Sequence, residues 1–97
     1  MSATIDTGFV AVGRPEDVPL LEGRRVTVAG RRIAIFRLPD GFHAVDAACP
    51  HAGGPLQDGI VGDGCVTCPL HNRRYRFDEL VEHEVELRDG LLWVRLA

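Results

Sequence analysis

Residues 49–71 read Cys49-Pro50-His51-Ala52-Gly53-Gly54-Pro55-Leu56-Gln57-Asp58-Gly59-Ile60-Val61-Gly62-Asp63-Gly64-Cys65-Val66-Thr67-Cys68-Pro69-Leu70-His71. Reduced to side chains able to hold a metal, the pattern is C-x-H, sixteen residues, then C-x-x-H. Two thiolates and two imidazoles arrive in two short segments, each opened by a cysteine and closed by a histidine. In an extended segment residues i and i+2 point the same way, so Cys49 and His51 can face one buried object. The C-x-x-H turn lets Cys68 and His71 face it from the other side. Zinc accepts this donor set, but its usual spacing groups cysteine with cysteine and histidine with histidine. One of each per segment suits a two-iron cluster, with thiolates on the iron that stays ferric and imidazoles on the iron that takes the electron. Exchanging two anionic thiolates for neutral imidazoles makes the added electron less costly and raises the potential.

The flanks of this stretch read as short strands. Phe42–Asp46 leads into it, Cys65–Thr67 precedes its second half, and Tyr75–Phe77 follows. Further out, Arg24–Val28 and Arg31–Leu38 are rich in β-branched residues, and Ala29-Gly30 between them has the length of a tight hairpin. Asp-Gly turns recur at 40–41, 63–64 and 89–90, the last inside a terminal hairpin of Val81–Leu87 and Leu91–Leu96. Gly8–Gly13 predicts a first strand, and the prolines of 14–19 confine that stretch to a turn or one helical turn. A short helix competes over Asp78–Val85. Repeated turns between short strands predict an all-β antiparallel fold.

Several side chains have readings apart from the metal pattern. Leu20 and Leu21 are expected to fold back onto the core. Arg25, Thr27 and Arg32 form a solvated face opposite Val26, Val28, Ile33 and Ile35. Cys65 reads as a small core hydrophobe, His43 and His83 as surface histidines, and Trp93 as packing.

Ninety-seven residues predict a single domain, 1–97, whose small core would gain from a metal cross-link. A net charge of −3 gives no encouragement to nucleic-acid or anionic-membrane binding. Three cysteines, an odd number, do not make a disulfide framework. The N-terminal residues lack the features of a secretory signal and no apolar run has the length of a membrane span, so a cytoplasmic, reducing setting is expected.

The run Cys-Pro-His-Ala-Gly-Gly-Pro-Leu-Gln-Asp-Gly and the later Cys-Pro-Leu-His resemble the cluster-binding motif of the Rieske [2Fe-2S] family. Within it the chain is most similar to the small ferredoxins of ring-hydroxylating dioxygenases and to the small subunit of NAD(P)H-dependent nitrite reductases. The resemblance implies a small antiparallel sandwich or barrel with a cluster-binding tip formed by two loops, occupying about residues 46–77. It places Cys49 and Cys68 on one iron of a [2Fe-2S] cluster and His51 and His71 on the other, one cluster per chain. Gly53, Gly54, Pro69, Leu70 and Tyr75 surround it. High-potential members join the two loops by a disulfide, and the corresponding positions are Gly54 and Leu70, so that bridge cannot form. They also present a serine where this chain has Arg73. Fewer hydrogen bonds to the cluster imply a low potential, which a tyrosine at position 75 raises slightly. Relatives carry a longer connection before the last hairpin than Phe77–Val81 provides.

The function implied is that of an electron carrier with no catalytic centre of its own. It would pass single electrons from an NAD(P)H-dependent flavoprotein reductase to a terminal oxygenase. The alternatives are the small subunit of a nitrite reductase, bound to its large subunit, and a zinc-stabilised interaction module. The chain lacks a dinucleotide-binding glycine motif, so hydride transfer from NAD(P)H is left to a partner.

Overall fold

The computed structural model describes residues 8–48, 55–70 and 72–97. Strands β1 (Val10–Gly13), β2 (Gly23–Val28), β3 (Arg31–Leu38) and β4 (Gly41–Asp46) precede the first loop. Strands β5 (Ile60–Gly62), β6 (Cys65–Thr67), β7 (Arg74–Arg76), β8 (Glu82–Arg88) and β9 (Leu91–Arg95) follow it. They pair antiparallel in a six-stranded sheet ordered β1-β9-β8-β4-β3-β2 and a three-stranded sheet ordered β5-β6-β7. The larger sheet curls until its edge strands β1 and β2 flank one cleft, which Val12, Val26, Ile35 and Leu92 line, and the fold is a nearly closed barrel. Among the described residues no helix is long and apolar enough to cross a membrane.

The tight turns follow from their sequences. Ala29-Gly30, Asp63-Gly64 and Asp89-Gly90 all have both central φ angles positive, the geometry of type I′ hairpins whose twist matches that of the flanking strands. Glycine fills each second position at no steric cost, and aspartate tolerates the left-handed region in two of the first positions.

Strand β3 is buried on both faces and divides two apolar cores. Ile33 and Ile35 point into one, with Val18, Val28, Ala44, Leu92 and Val94. Ala34, Phe36 and Leu38 point into the other, with Val45, Leu56, Val61, Val66 and Phe77. Full burial of side chains of this size contributes about 1.5–3 kcal/mol each. The second core lies between the two sheets and includes Cys68, so the small sheet is fastened where the cysteine-bearing loop begins. Phe36 and Phe77 meet edge to face there at 5.4 Å.

Five expectations are corrected. Leu20 and Leu21 are 56% and 48% exposed, because their segment extends the edge of the sheet through its backbone. The Leu21 N–H donates to the Arg37 carbonyl and the Arg37 N–H to that of Glu22, which leaves both leucine side chains outward. His83 lies on the inward face of β8 and is only 5% exposed. His43 is half-buried and stacks on Phe77 with ring centroids 5.0 Å apart. Cys65 is half-buried rather than a core residue. The helix that competed over Asp78–Val85 is reduced to one 3-10 turn, Phe77–Glu79, before β8 begins.

Candidate metal centre

Two loops leave the second core at the same end of the molecule. The first follows β4: Ala48 and Pro55 form an antiparallel bridge, and the Leu56 N–H donates to the Ala47 carbonyl at 2.8 Å. The chain segments at Ala47-Ala48 and Pro55-Leu56 are therefore held together as a closed pair. Leu56 is fully buried in the core that also holds Ala47, so the base is anchored from below. Gly59 ends the short turn after it and lies so close to the Thr67 carbonyl that no side chain fits between them.

The second loop leaves β6 at Cys68. The Cys68 N–H donates to the Arg73 carbonyl at 2.7 Å, and the Asn72 N–H donates to the Cys68 carbonyl at 2.9 Å. Asn72 takes a left-handed conformation, φ 52°, a role suited to its short polar side chain. Both backbone groups of Cys68 are thus committed, which fixes the cysteine at the root of its loop. Its side chain is 0% exposed, while Pro69 and the 60% exposed Leu70 face outward. Tyr75 stands opposite Val66 in the β6–β7 register and packs, half-buried, against the core that contains Cys68. Of the residues expected at the centre, Cys49, His51, Gly53, Gly54 and His71 lie outside the described residues.

These features fit a cluster. The Cys68 side chain is sealed among Ala47, Leu56, Val61 and Val66, and a metal would bind it there as the thiolate. The apolar wall and the pinned root exclude water from Cys68, while Pro69 and Leu70 after it face outward.

Around the roots lie polar networks that sequence reasoning did not find. Asp46, at the end of β4, accepts from Arg31 at 2.9 Å and from His83 Nε2 at 2.9 Å. His83 Nδ1 in turn accepts the Ala97 N–H at 3.0 Å, so the imidazole is a neutral Nε2–H tautomer with both nitrogens satisfied. The alternation Glu82-His83-Glu84 in β8 was the available signal, since it sets the histidine opposite two outward glutamates. His43 sits between Glu82, at 2.7 Å, and Asp40, at 3.1 Å. Burial lowers its pKa, but hydrogen bonds and charge from Glu82 and Asp40 outweigh that and hold it above the usual histidine value. Beyond β6, the Arg74 guanidinium is pushed above its usual value chiefly by its hydrogen bond to Cys65, and it pairs with Asp63 at 3.6 Å.

A family model described as the Rieske [2Fe-2S] domain matches residues 8–86. The anthranilate 1,2-dioxygenase ferredoxin subunit of Burkholderia cepacia is 49% identical over 45 residues, 45% of this chain and 42% of that protein. The chain thus spans less than half the length of that curated relative. The ferredoxin of carbazole 1,9a-dioxygenase from Nocardioides aromaticivorans IC177 superposes with a TM-score of 0.84 at 19% identity, covering 92% of this chain and 98% of that one. A putative NADPH nitrite reductase small subunit superposes with a TM-score of 0.78 at 28% identity, again covering 92% and 98%.

Proposed function

This chain belongs to the Rieske [2Fe-2S] domain family, and from that premise we propose that it is a one-electron carrier whose cluster is held by Cys49, His51, Cys68 and His71. When bound, the cluster supplies a single reversible electron at a fixed position. In this reading Cys49 and Cys68 hold one iron as thiolates, and His51 and His71 hold the other through neutral imidazoles. The observation that carries the proposal is the fully buried Cys68 at a root whose backbone groups are all bonded, beside the equally closed root of the first loop. That arrangement keeps the cysteine side dry. Tyr75, Pro69 and Leu70, with Gly53 and Gly54, complete the surroundings.

The reading places the protein between an NAD(P)H-dependent flavoprotein reductase and a terminal oxygenase, supported by the likeness to dioxygenase ferredoxins. A second reading, as a nitrite reductase small subunit, is supported by the 28% identity over almost the whole of that solved chain. Anaerobic purification tests the centre itself. The expected product is coloured, with two irons and two acid-labile sulfides per chain, and Cys68→Ser should abolish both. A colourless, zinc-loaded protein would overturn the cluster. Elution of the native protein near its own 10.6 kDa supports the free carrier, whereas co-elution with a large flavin-bearing chain supports the second reading.

A further inference from the structure

We propose that the cleft between the β2–β3 hairpin and the root of the first loop, floored by Arg25 and Arg32, docks an acidic peptide segment of the protein that exchanges electrons with this one. The partner's role rests on the electron-carrier reading; the chemistry of the cleft does not.

The cleft has a volume of about 370 Å³ and runs from Arg25, Arg31 and Arg32 to Ala48, Pro55 and Gln57. All eleven cationic side chains of the chain are arginines, and most of those described are neutralised or covered. Arg24, Arg31, Arg74, Arg76, Arg88 and Arg95 pair with carboxylates, and Arg37 lies over the Phe42 ring. Arg25 and Arg32 are exposed and have neither an acidic partner nor a ring among the described residues. The register places them on one face. Arg25 is opposite Ala34 and Arg32 opposite Thr27, so they sit diagonally on neighbouring strands. Two unmatched guanidinium forks on neighbouring strands concentrate positive potential at this face of a chain whose net charge is −3.

Asp46 also lines the cleft. It already engages Arg31, which leaves Arg25 and Arg32 for two separate carboxylates in bidentate geometry. The cleft is larger than one small anion and runs on from the two forks to Ala48, Pro55 and Gln57, which suits a peptide carrying its acidic side chains on an extended backbone. Because Ala48 and Pro55 pair at this point, a segment seated here lies directly beside the root of the first loop.

The probe is a fluorescein-labelled hexaglutamate peptide, titrated against the purified holoprotein by anisotropy at low ionic strength. The visible spectrum of each sample reports the cluster, so failure of the centre and failure of the cleft are read separately. Binding that weakens at least tenfold in R25Q/R32Q, and less than threefold in the charge-matched R14Q/R76Q, supports the proposal. Equal weakening in both pairs, or no binding by the native protein, overturns it. So does inorganic phosphate that displaces the peptide at comparable or lower concentration, or a single-stranded oligonucleotide that binds more tightly. Phenylglyoxal footprinting of the native protein needs no variant. The peptide should protect Arg25 and Arg32 but not Arg14 or Arg76, and protection confined to other arginines refutes the assignment.

Discussion

Replacing Gly59 by alanine tests how tightly the loop roots are joined. At φ −76° and ψ 167° the backbone of Gly59 suits any residue, so the cost is steric alone. An alanine Cβ would overlap the Thr67 carbonyl oxygen and come within 3.0 Å of both the Leu56 carbonyl and Val66 Cγ2. The Thr67 carbonyl has little room to retreat, because β6 is paired to Ile60 on one side and Arg74 on the other. Overpacking costs about 1–3 kcal/mol, and an obstacle of fixed backbone puts this variant near about 2–3 kcal/mol. For a domain of this size the melting temperature should fall by roughly 8–20 °C. Two nearby glycines calibrate the result. Gly62→Ala meets nothing within 4 Å and should stay within about 0.5 kcal/mol of the parent. Gly64→Ala also has space, but its φ of +72° costs about 1–2 kcal/mol. Urea and thermal unfolding, followed by circular dichroism and by the visible band, give the order. Since Thr67 immediately precedes Cys68, the band should vanish at lower urea in Gly59→Ala than in either control. A Gly59→Ala protein as stable as the parent, or Gly62→Ala as the worst of the three, would refute the account of the joined roots.

Other outcomes follow from the same contacts. His83→Ala removes a fully buried ring, leaves the Ala97 N–H without its partner and leaves Asp46 with Arg31 alone, so it should cost about 3 kcal/mol in urea unfolding. A loss under 1 kcal/mol would contradict that network. His43 has a folded pKa above its ordinary 6.5, so its contribution to stability is complete below about 6.5 and disappears as the pH rises through the folded pKa. Urea midpoints between pH 5.5 and 8.5 should show this decline in the parent and a shallower one in His43→Gln; parallel curves would disprove it. Tyr75→Phe should lower the potential. A hydroxyl bond favouring the reduced state by about 1 kcal/mol corresponds to about 40 mV for one electron, and an unchanged voltammogram would exclude the effect.

Much of the fold was legible because it is written in local chemistry. Residue pairs such as Ala29-Gly30 and Asp89-Gly90 accept positive φ, and the strands they join alternate with period two. What local chemistry does not contain is which sheet face meets which neighbour. Ile33-Ala34-Ile35-Phe36 reads as one strand with an inward side, yet both sides are inward, because the small β5–β7 sheet folds back over the face that a lone hairpin would leave wet. His83 was misread for the same reason. Its burial depends on Asp46, 37 residues away, arriving to accept its Nε2–H hydrogen bond. Leu20 and Leu21 erred the other way: hydrophobicity alone places them inside, but backbone pairing at a sheet edge turns them out.

The stretch from Cys49 to His71 offered by itself four candidate donors divided between two segments, because residue identity and spacing are covalent properties of the chain. Tertiary structure decided that Cys68 is sealed in a core shared by both sheets, that both loop roots are closed by backbone bonds, and that Arg25 and Arg32 are left unmatched beside one of them. Those are properties of residues far apart in sequence, and only packing brings them together.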